Sequence, residues 1–249
     1  MGVTAADFDN DGDEDILVTN LRREGCTLLR NNGAGVFTDV SSEFGLGPAT
    51  FLFTGFGAEF FDYDNDGRLD LFICNGAVTI LEALRGAPYP FGQRNQLFHN
   101  EGGKFREVSA LAGELAEVSR GAAFGDIDND GDIDIVISNN NGPARLLLNE
   151  AGRGAHWLEV HLEGVRANRQ GIGARVGVFS KGAKPVWRRA HSDGSYCSAS
   201  PASVHFGLGR EAKLEAIEVL WPDGSRERWT DVGPDRRVML RQGTGKSVQ

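Results

Sequence analysis

Three copies of one short acidic loop occur in the first 134 residues, and they constrain the fold more than any other feature. The loops read Asp7-Phe-Asp9-Asn-Asp11-Gly12-Asp13-Glu-Asp15, Asp62-Tyr-Asp64-Asn-Asp66-Gly67-Arg68-Leu-Asp70 and Asp126-Ile-Asp128-Asn-Asp130-Gly131-Asp132-Ile-Asp134. Each has aspartates at positions 1, 3, 5 and 9 and glycine at position 6. Such carboxylates repel one another unless a hard cation, which takes about six to eight oxygen ligands, neutralises them. We therefore expect up to three Ca²⁺ ions.

We name these segments loop 1 (7–15), loop 2 (62–70) and loop 3 (126–134). Position 7 of each loop would bind the ion through its main-chain carbonyl, while the aspartates bind through their side chains. The expected metal residues are therefore Asp7, Asp9, Asp11, Asp13, Asp15, Asp62, Asp64, Asp66, Arg68, Asp70, Asp126, Asp128, Asp130, Asp132 and Asp134. The glycine at position 6 allows the chain to turn sharply around the ion. Loop 2 carries the positive charge of Arg68, so we expect it to bind most weakly.

The residues that follow each loop argue against an EF-hand, which requires a bidentate glutamate at position 12 and flanking helices. Position 12 is occupied here by Val18, Ile73 and Ile137, and none of these side chains can bind a metal ion. Each lies in a short apolar run that ends in asparagine, a pattern that predicts a buried strand. The sequence therefore predicts an all-β chain in which each loop leads into a strand.

The loops begin 55 and 64 residues apart, and the residues around them also recur. Asn-Gly and Gly-Gly steps between apolar runs predict hairpins after loops 1 and 2. Each unit then reads as strand, loop, strand, hairpin and strand, which is most of a propeller blade. About three blades are too few for a closed ring of about 4–8. We expect either part of a longer protein, with the missing N-terminal blades as partners, or a short protein that closes with another subunit.

The chain changes character near residue 150. Residues 1–150 contain 25 acidic and 10 basic side chains, whereas residues 151–249 contain 10 acidic and 16 basic ones. The arginines alternate with glutamates, and Arg226-Glu227-Arg228 reads as the solvated face of a hairpin, so we expect no nucleic-acid partner. Alternating apolar residues predict strands at 157–163, 175–179, 216–221, 226–232 and 238–240. We predict a calcium-loop region at residues 1–152 and a small β-sandwich-like domain at residues 153–249.

Each of these two regions resembles a known protein family. The repeats in residues 1–150 resemble FG-GAP/VCBS repeats, the calcium-loop blades of integrin-α-type β-propellers. The second region carries Asn168-Arg-Gln-Gly171-Ile-Gly173, Ser195-Tyr-Cys197-Ser-Ala-Ser-Pro201, His205-Phe-Gly-Leu-Gly209 and Trp221-Pro-Asp-Gly224. These motifs resemble the ASPIC/UnbV domain in order and spacing. The resemblance to a cartilage acidic protein-like family implies a partial propeller followed by a small β domain and a secreted or periplasmic location. Cys197 departs from the family pattern.

No catalytic arrangement is evident from the sequence, and we predict that the chain is not an enzyme. The histidines His99, His191 and His205 have no cysteine or carboxylate at ligand spacing, and no serine lies in a nucleophile-elbow pattern. Three widely spaced cysteines do not form a disulfide framework, and Cys74 reads as a buried apolar residue. The sequence contains no signal peptide and no apolar run long enough for a membrane span.

These observations leave three functional hypotheses. The first is an extracellular or cell-surface scaffold of the adhesion type, made rigid by calcium, that presents loops to a protein or glycan ligand. The second is an accessory protein of a secondary-metabolite pathway, of the enediyne type, suggested by the ASPIC/UnbV resemblance. It would require a pocket between the domains with polar groups from Arg169, His191 or Ser195. The third is a spacer in a larger surface protein.

Overall fold

The computed structural model of the protein describes residues 1–87 and 90–248. The loop-containing half forms three antiparallel sheets of three or four strands, which we call blades 1, 2 and 3. Blade 1 contains β1 (Val3–Ala6), β2 (Asp15–Val18), β3 (Thr27–Asn31) and β4 (Phe37–Asp39) in chain order. Loop 1 joins β1 to β2. Gly33 and Gly35 take positive φ in the turn between β3 and β4, so the predicted hairpin is confirmed.

Blade 2 has the same order, with an excursion between its second and third strands. A short helix α1 (Leu46–Thr50) precedes β5 (Gly55–Phe61), β6 (Asp70–Asn75), β7 (Gln93–Arg94), β8 (Gln96–Asn100) and β9 (Phe105–Glu107). The sheet order is β5-β6-β8-β9, and loop 2 joins β5 to β6. Short 3-10 helices span Glu82–Leu84 and Ser109–Ala112, and β7 pairs with β10 (Ala116–Glu117).

Blade 3 has three strands among the described residues. They are β11 (Ser119–Gly125), β12 (Asp134–Asn139) and β13 (Arg145–Leu147), and loop 3 joins β11 to β12. In blades 1 and 2 the chain turns back after the third strand to form a fourth. After β13 it enters the C-terminal region instead, so the outer edge of β13 has no paired strand in the described structure.

Apolar side chains hold the blades against one another. The innermost strands β1, β5 and β11 lie side by side. One core joins blade 1 to blade 2 and includes Leu17, Leu28 and Phe98, and a second joins blade 2 to blade 3 and includes Phe72 and Ile135. Strands β5 and β6 of blade 2 lie between these two cores and are buried on both faces, which explains why their sequences are largely apolar without alternation.

The C-terminal region forms two sheets. Its strands are β14 (His156–Glu163), β15 (Arg175–Ser180), β16 (Val186–Arg189), β17 (Val204–Gly209), β18 (Leu214–Leu220), β19 (Arg226–Trp229), β20 (Arg236–Arg241) and β21 (Lys246–Ser247). The orders are β17-β14-β20, with β14 and β20 parallel, and β16-β15-β18-β19-β21. A single apolar core, which includes Leu158, Val176 and Trp221, contains residues of both sheets, as in a β-sandwich.

The predicted all-β class is confirmed. About three blades were expected, whereas the described residues form five sheets of three or more strands, because the C-terminal region adds two. The solvated face predicted at Arg226-Glu227-Arg228 is wrong, since Glu227 is buried and accepts hydrogen bonds from Gly243 and Gly245. The flanking arginines are also engaged, because both pair with the buried carboxylate of Glu218.

Candidate metal centres

The three loops share one backbone conformation, and two positions in each make it possible. Asparagine at position 4 takes positive φ in every loop, with values of 58°, 59° and 69° at Asn10, Asn65 and Asn129. Glycine at position 6 takes φ between 92° and 107°. Asparagine is one of the few non-glycine residues that tolerate the left-handed region. The glycine was expected from the sequence for this reason, whereas the role of the asparagine was not.

The aspartate at position 1 organises each loop through the main chain. Its two carboxylate oxygens accept hydrogen bonds from the amides at positions 5 and 6. For Asp7 both distances are 3.0 Å, for Asp62 they are 3.0 and 2.7 Å, and for Asp126 they are 3.2 and 3.0 Å. The carboxylate at position 5 in turn accepts the amide of position 7. The loops are therefore folded around inward-pointing oxygens.

The aspartate at position 9 ties each loop to its blade. Asp15, Asp70 and Asp134 are fully buried. One oxygen of each accepts the amide at position 2 of the loop. The other oxygen accepts the main-chain amide of an asparagine at or just after the end of the blade's third strand, at 2.8 Å in all three cases. We call these residues, Asn31, Asn100 and Asn149, the strand-ending asparagines. The strand-ending asparagines therefore belong to the loop architecture.

These bonds bring the carboxylates at positions 1, 3 and 9 together three times. In each cluster, one oxygen per residue lies within 4.8 Å of the others. The clusters are Asp7, Asp9 and Asp15; Asp62, Asp64 and Asp70; and Asp126, Asp128 and Asp134. The oxygen-only donor set matches the preference of Ca²⁺, and separations of this size leave room for ligands about 2.3–2.6 Å from one ion. The Oδ1 atom of Asp64 is buried without a hydrogen-bond partner, so it is free to bind such an ion.

The expected metal residues at positions 5 and 7 are placed differently. Asp11 and Asp130 cap the following turn through their carboxylates. Asp132 is buried and accepts hydrogen bonds from the side chain of Asn65 and the amide of Gly152. Its carboxylate therefore links loop 3 to its surroundings, as the prediction of a main-chain ligand at position 7 allows.

Loop 2 differs from the others at these positions. The guanidinium of Arg68 pairs with Asp66 and also donates to the carbonyl oxygen of Asn100 at 2.7 Å. The carboxylate of Asp66 is therefore partly neutralised inside the loop. This contact gives a structural basis for the expected weakness of Ca²⁺ binding at loop 2, which itself stays a prediction.

Without a cation, the clustered carboxylates are costly to ionise. Burial raises the pKa of Asp7 to about 6 and the pKa of Asp62 to about 7, and nearby carboxylates add to both effects. Burial likewise raises the pKa of Asp15 to about 7 and that of Asp70 to about 9. A raised carboxyl pKa means that the folded state disfavours the charged form. A bound divalent cation would offset this cost.

Adjacent loops are connected in series. The side chain of Asn10 donates to the carbonyl oxygen of Gly67, and that of Asn65 donates to the carbonyl oxygen of Gly131, both at 3.4 Å. The side chain of Asn100 donates to the carbonyl oxygen of Phe8 at 3.0 Å, so blade 2 also binds loop 1. Asn149 makes the corresponding bond from blade 3 to loop 2. A change in the backbone conformation of one loop would therefore disturb hydrogen bonds to the next loop.

The C-terminal region binds the same three loops from the other side. The carbonyl oxygen of each position-6 glycine accepts a hydrogen bond from a side chain of the C-terminal region. The pairs are Arg175 with Gly12 at 2.6 Å, Arg188 with Gly67 at 3.4 Å, and His205 with Gly131 at 3.0 Å. Burial lowers the pKa of His205, which favours the neutral ring that donates through Nε2.

Two arginines add charge to this interface. Arg188 also donates to the side chain of Asn10 at 2.7 Å and lowers the pKa of Asp7 and Asp62 against the effect of burial. Arg237 donates to the carboxylate of Asp126 at 2.8 Å. These guanidinium groups partly balance the acidic loops, which explains why a basic region follows an acidic one along the chain.

A segment of the C-terminal region also covers the inner strands. Its main-chain oxygens at Tyr196 and Cys197 approach Gly121 so closely that a Cβ there would be crowded, and the ring of Tyr196 packs edge-on against Phe56. The hydroxyl oxygen of Ser200 accepts the amide of Phe124 at 3.1 Å. The Ser-rich motif thus lies against the blades. Cys74 is fully buried, as predicted.

A cavity of about 130 Å³ lies between the blades and the C-terminal region. The buried carboxylate of Glu59 lines it, together with Arg189 and His191. Arg169 lines a separate groove on the C-terminal region, and Ser195 lines neither space. Of the three polar residues named in the pathway-accessory hypothesis, His191 therefore lines the cavity between the two regions, whereas Arg169 and Ser195 do not.

One residue beside loop 2 was not expected from the sequence. His99 has no nearby ligand in sequence, yet its Nδ1 atom lies 3.1 Å from Oδ1 of Asp70 and 3.6 Å from Oδ2 of Asp64. No cysteine or carboxylate lies at ligand spacing from His99 in the sequence; the two carboxylates reach it because the hairpin returns strand β8 beside loop 2. Its position directly before the strand-ending Asn100 is the signal that could have revealed it.

Comparison with known proteins identifies both halves. A model of the FG-GAP-like repeat family matches residues 7–73 and 86–137, and a model described as ASPIC and UnbV matches residues 164–247. Cartilage acidic protein 1 of Homo sapiens is 28% identical over 236 residues, which cover 90% of this chain and 33% of that protein. The same protein of Xenopus tropicalis is 28% identical over 228 residues, covering 90% and 34%.

The chain thus spans about a third of the length of these relatives. Neither the family descriptions nor the names of the relatives denote an enzyme. The homology and the blade architecture support an extracellular module of the β-propeller type. The predicted resemblance is confirmed: the chain is built from FG-GAP-like repeats followed by an ASPIC and UnbV domain, and it is homologous to cartilage acidic protein 1.

Proposed function

We propose that this chain is a non-catalytic scaffold whose blades are held together by calcium ions bound in loops 1, 2 and 3. The observation that carries the proposal is the threefold recurrence of one carboxylate cluster, formed by loop positions 1, 3 and 9, in one backbone geometry. A single acidic turn would carry little weight, whereas three oxygen clusters formed by the same loop positions argue for one repeated ligand.

The contacts of the loops explain how ion binding would stabilise the fold. Each loop contacts its own blade, a neighbouring loop and the C-terminal region. An ion that binds only the folded loops stabilises the whole assembly, by about 2.7 kcal/mol for each site filled at 100 times its Kd. Extracellular calcium modules commonly have Kd values of about 10⁻⁴–10⁻³ M, so external calcium would fill the sites. An extracellular or periplasmic location follows from this proposal.

We further propose that a blade of the same type is a partner of blade 3. The side chains of Leu28 and Leu97 are buried because the next blade covers them, whereas Leu146, at the same register position in blade 3, is 51% exposed. Its neighbour Val136 is also exposed. The unpaired edge of β13 adjoins this face and could accept a strand. The blade would come from the rest of a longer chain or from another subunit, and protein or glycan ligands would bind the assembled scaffold.

Calcium dependence tests the scaffold proposal. Thermal unfolding of the purified chain should occur at a clearly higher temperature in millimolar Ca²⁺ than after treatment with a chelator. A variant with Asp126→Ala and Asp130→Ala should bind about one Ca²⁺ fewer by calorimetry. Replacing the exposed carboxylate outside the loops, with Glu43→Ala, is the matched control and should change nothing. Equal unfolding temperatures with and without Ca²⁺ would refute the proposal.

A further inference from the structure

The residue directly before each strand-ending asparagine differs among the three blades. It is Arg30 in blade 1, His99 in blade 2 and Leu148 in blade 3. In blade 1 the guanidinium of Arg30 is close enough to lower the pKa of Asp9, the effect opposite to that of burial. In blade 2 the same position supplies an imidazole. Of the three loops, loop 2 alone therefore has a nitrogen atom at this position that can bind a metal ion.

His99 is held against loop 2 by packing. Its side chain is 14% exposed, and its ring lies edge-on to Tyr63 at 5.8 Å between centroids. Tyr63 is loop position 2, and its amide is bound by Asp70. The ring is therefore fixed by the same residues that shape the loop, so its approach to the carboxylates is part of the fold.

The Nδ1 atom of His99 is buried and makes no hydrogen bond, although Asp70 Oδ1 lies only 3.1 Å away. Their relative orientation does not allow a hydrogen bond from the imidazole N–H to the carboxylate oxygen. Ligands about 2.0–2.2 Å from a shared ion at tetrahedral or octahedral angles lie about 3–3.6 Å apart. The separations from Nδ1 to Asp70 and to Asp64, at 3.1 and 3.6 Å, fall in this range.

Two further observations distinguish loop 2 from loops 1 and 3. Asp64, Asp66 and His99 together bring one ligand atom each to within 4.8 Å. The ion pair from Arg68 to Asp66 reduces the negative charge that a hard cation would find there.

We propose that loop 2 binds a borderline divalent transition-metal ion such as Zn²⁺ or Co²⁺, with His99 Nδ1 as a nitrogen ligand beside the carboxylates of Asp64 and Asp70. Imidazole nitrogen favours such ions, whereas oxygen-only sites favour Ca²⁺. Loops 1 and 3 then remain the calcium sites. This inference rests on the proposed role of the loops as cation sites and gives one of them a different ion.

The test compares three proteins stripped of metal: the unmodified chain, H99L and R30L. H99L gives loop 2 the residue that blade 3 carries, and R30L makes the same replacement beside loop 1. Titration with Co²⁺ in the presence of saturating Ca²⁺ should show one site in the unmodified chain and in R30L. In H99L its affinity should fall at least tenfold, since even outer partners of metal ligands affect affinity about 10–100-fold.

A second measurement identifies the ligand atom. The imidazole ¹⁵N resonance that H99L lacks should shift when Zn²⁺ is added and should not shift with Ca²⁺. Calcium binding at the two remaining loops should be the same in H99L. Equal Co²⁺ affinity in H99L, or three equivalent Ca²⁺ sites that exclude Co²⁺, would overturn this inference and leave the scaffold proposal standing. Absence of binding by either ion would overturn both.

Discussion

Truncating one leucine in each blade should have effects that differ sharply although the register position is the same. Each of these leucines lies in the third strand of its blade and pairs with the second residue after the loop. The pairs are Leu28 with Leu17, Leu97 with Phe72, and Leu146 with Val136. The first two side chains are 0% and 5% exposed, because they lie between blades, and the third is 51% exposed. Leu28→Ala and Leu97→Ala would leave cavities between packed sheets, and Leu146→Ala would not.

The magnitudes follow from burial. Replacing a fully buried leucine by alanine costs about 2–5 kcal/mol, of which part is the cavity. Leu146 already has half of its surface in water and no covering blade, so its truncation should cost less than about 1 kcal/mol. At about 2–4 °C per kcal/mol for a chain of this size, the first two variants should melt about 4–20 °C lower and the third within about 4 °C of the unmodified protein.

Differential scanning calorimetry in millimolar Ca²⁺, at several protein concentrations, would measure these shifts. Similar losses in all three variants would contradict this prediction, because they would show that Leu146 is buried in the isolated chain in solution. A loss for Leu146→Ala that appears only at high protein concentration would instead identify a second copy of the chain as the covering partner.

Three further predictions concern the loops and their contacts. Asn100→Ala should lower the free energy of unfolding by about 2–4 kcal/mol, because two buried carbonyl oxygens lose their hydrogen-bond donor. Asn31→Ala should lower it by only about 1 kcal/mol, because the side chain of Asn31 donates to one carbonyl oxygen of its own blade. Urea unfolding measures both losses. Gly131→Ala should cost about 1–3 kcal/mol more than Gly12→Ala, since both require positive φ but only the former Cβ would overlap a tryptophan of the C-terminal region. If the two alanine variants unfold at the same urea concentration, the C-terminal region does not pack on loop 3 in solution. Finally, burial raises the pKa of Asp62 to about 7, so the metal-free fold takes up protons relative to the unfolded chain and should lose stability as pH rises from 6 to 8. Added Ca²⁺ should remove that dependence, and a metal-free melting temperature that rises with pH would contradict it.

The loops and their strands could be read from the sequence because the information is local. Gly67 in the middle of an Asp-rich segment, followed by an apolar run, specifies a turn and a strand within fewer than 20 residues. The same local reasoning placed Arg226-Glu227-Arg228 in a hairpin, and β18 and β19 pair across a turn in which Gly224 takes positive φ. The strands at 157–163 and 175–179 also lie where the alternation of apolar residues placed them.

The contacts between distant segments could not be read in this way. Arg188 lies 121 residues beyond Gly67, and nothing in its sequence surroundings distinguishes it from Arg189, which pairs with Glu14. His99 was passed over because a search for ligands at short sequence spacing cannot detect a residue brought back by a hairpin. Exposure of Leu146 likewise could not be predicted from its own surroundings, because it depends on whether another blade covers this face of blade 3.

Native mass spectrometry of the chain, purified without chelator and exchanged into a volatile buffer containing Ca²⁺, tests most directly whether the acidic loops exist to hold cations. We expect a folded charge-state distribution carrying up to three divalent ions, with one fewer when Asp126 and Asp130 are both replaced by alanine. A folded species whose mass equals that of the bare polypeptide, at every Ca²⁺ concentration up to millimolar, would contradict it.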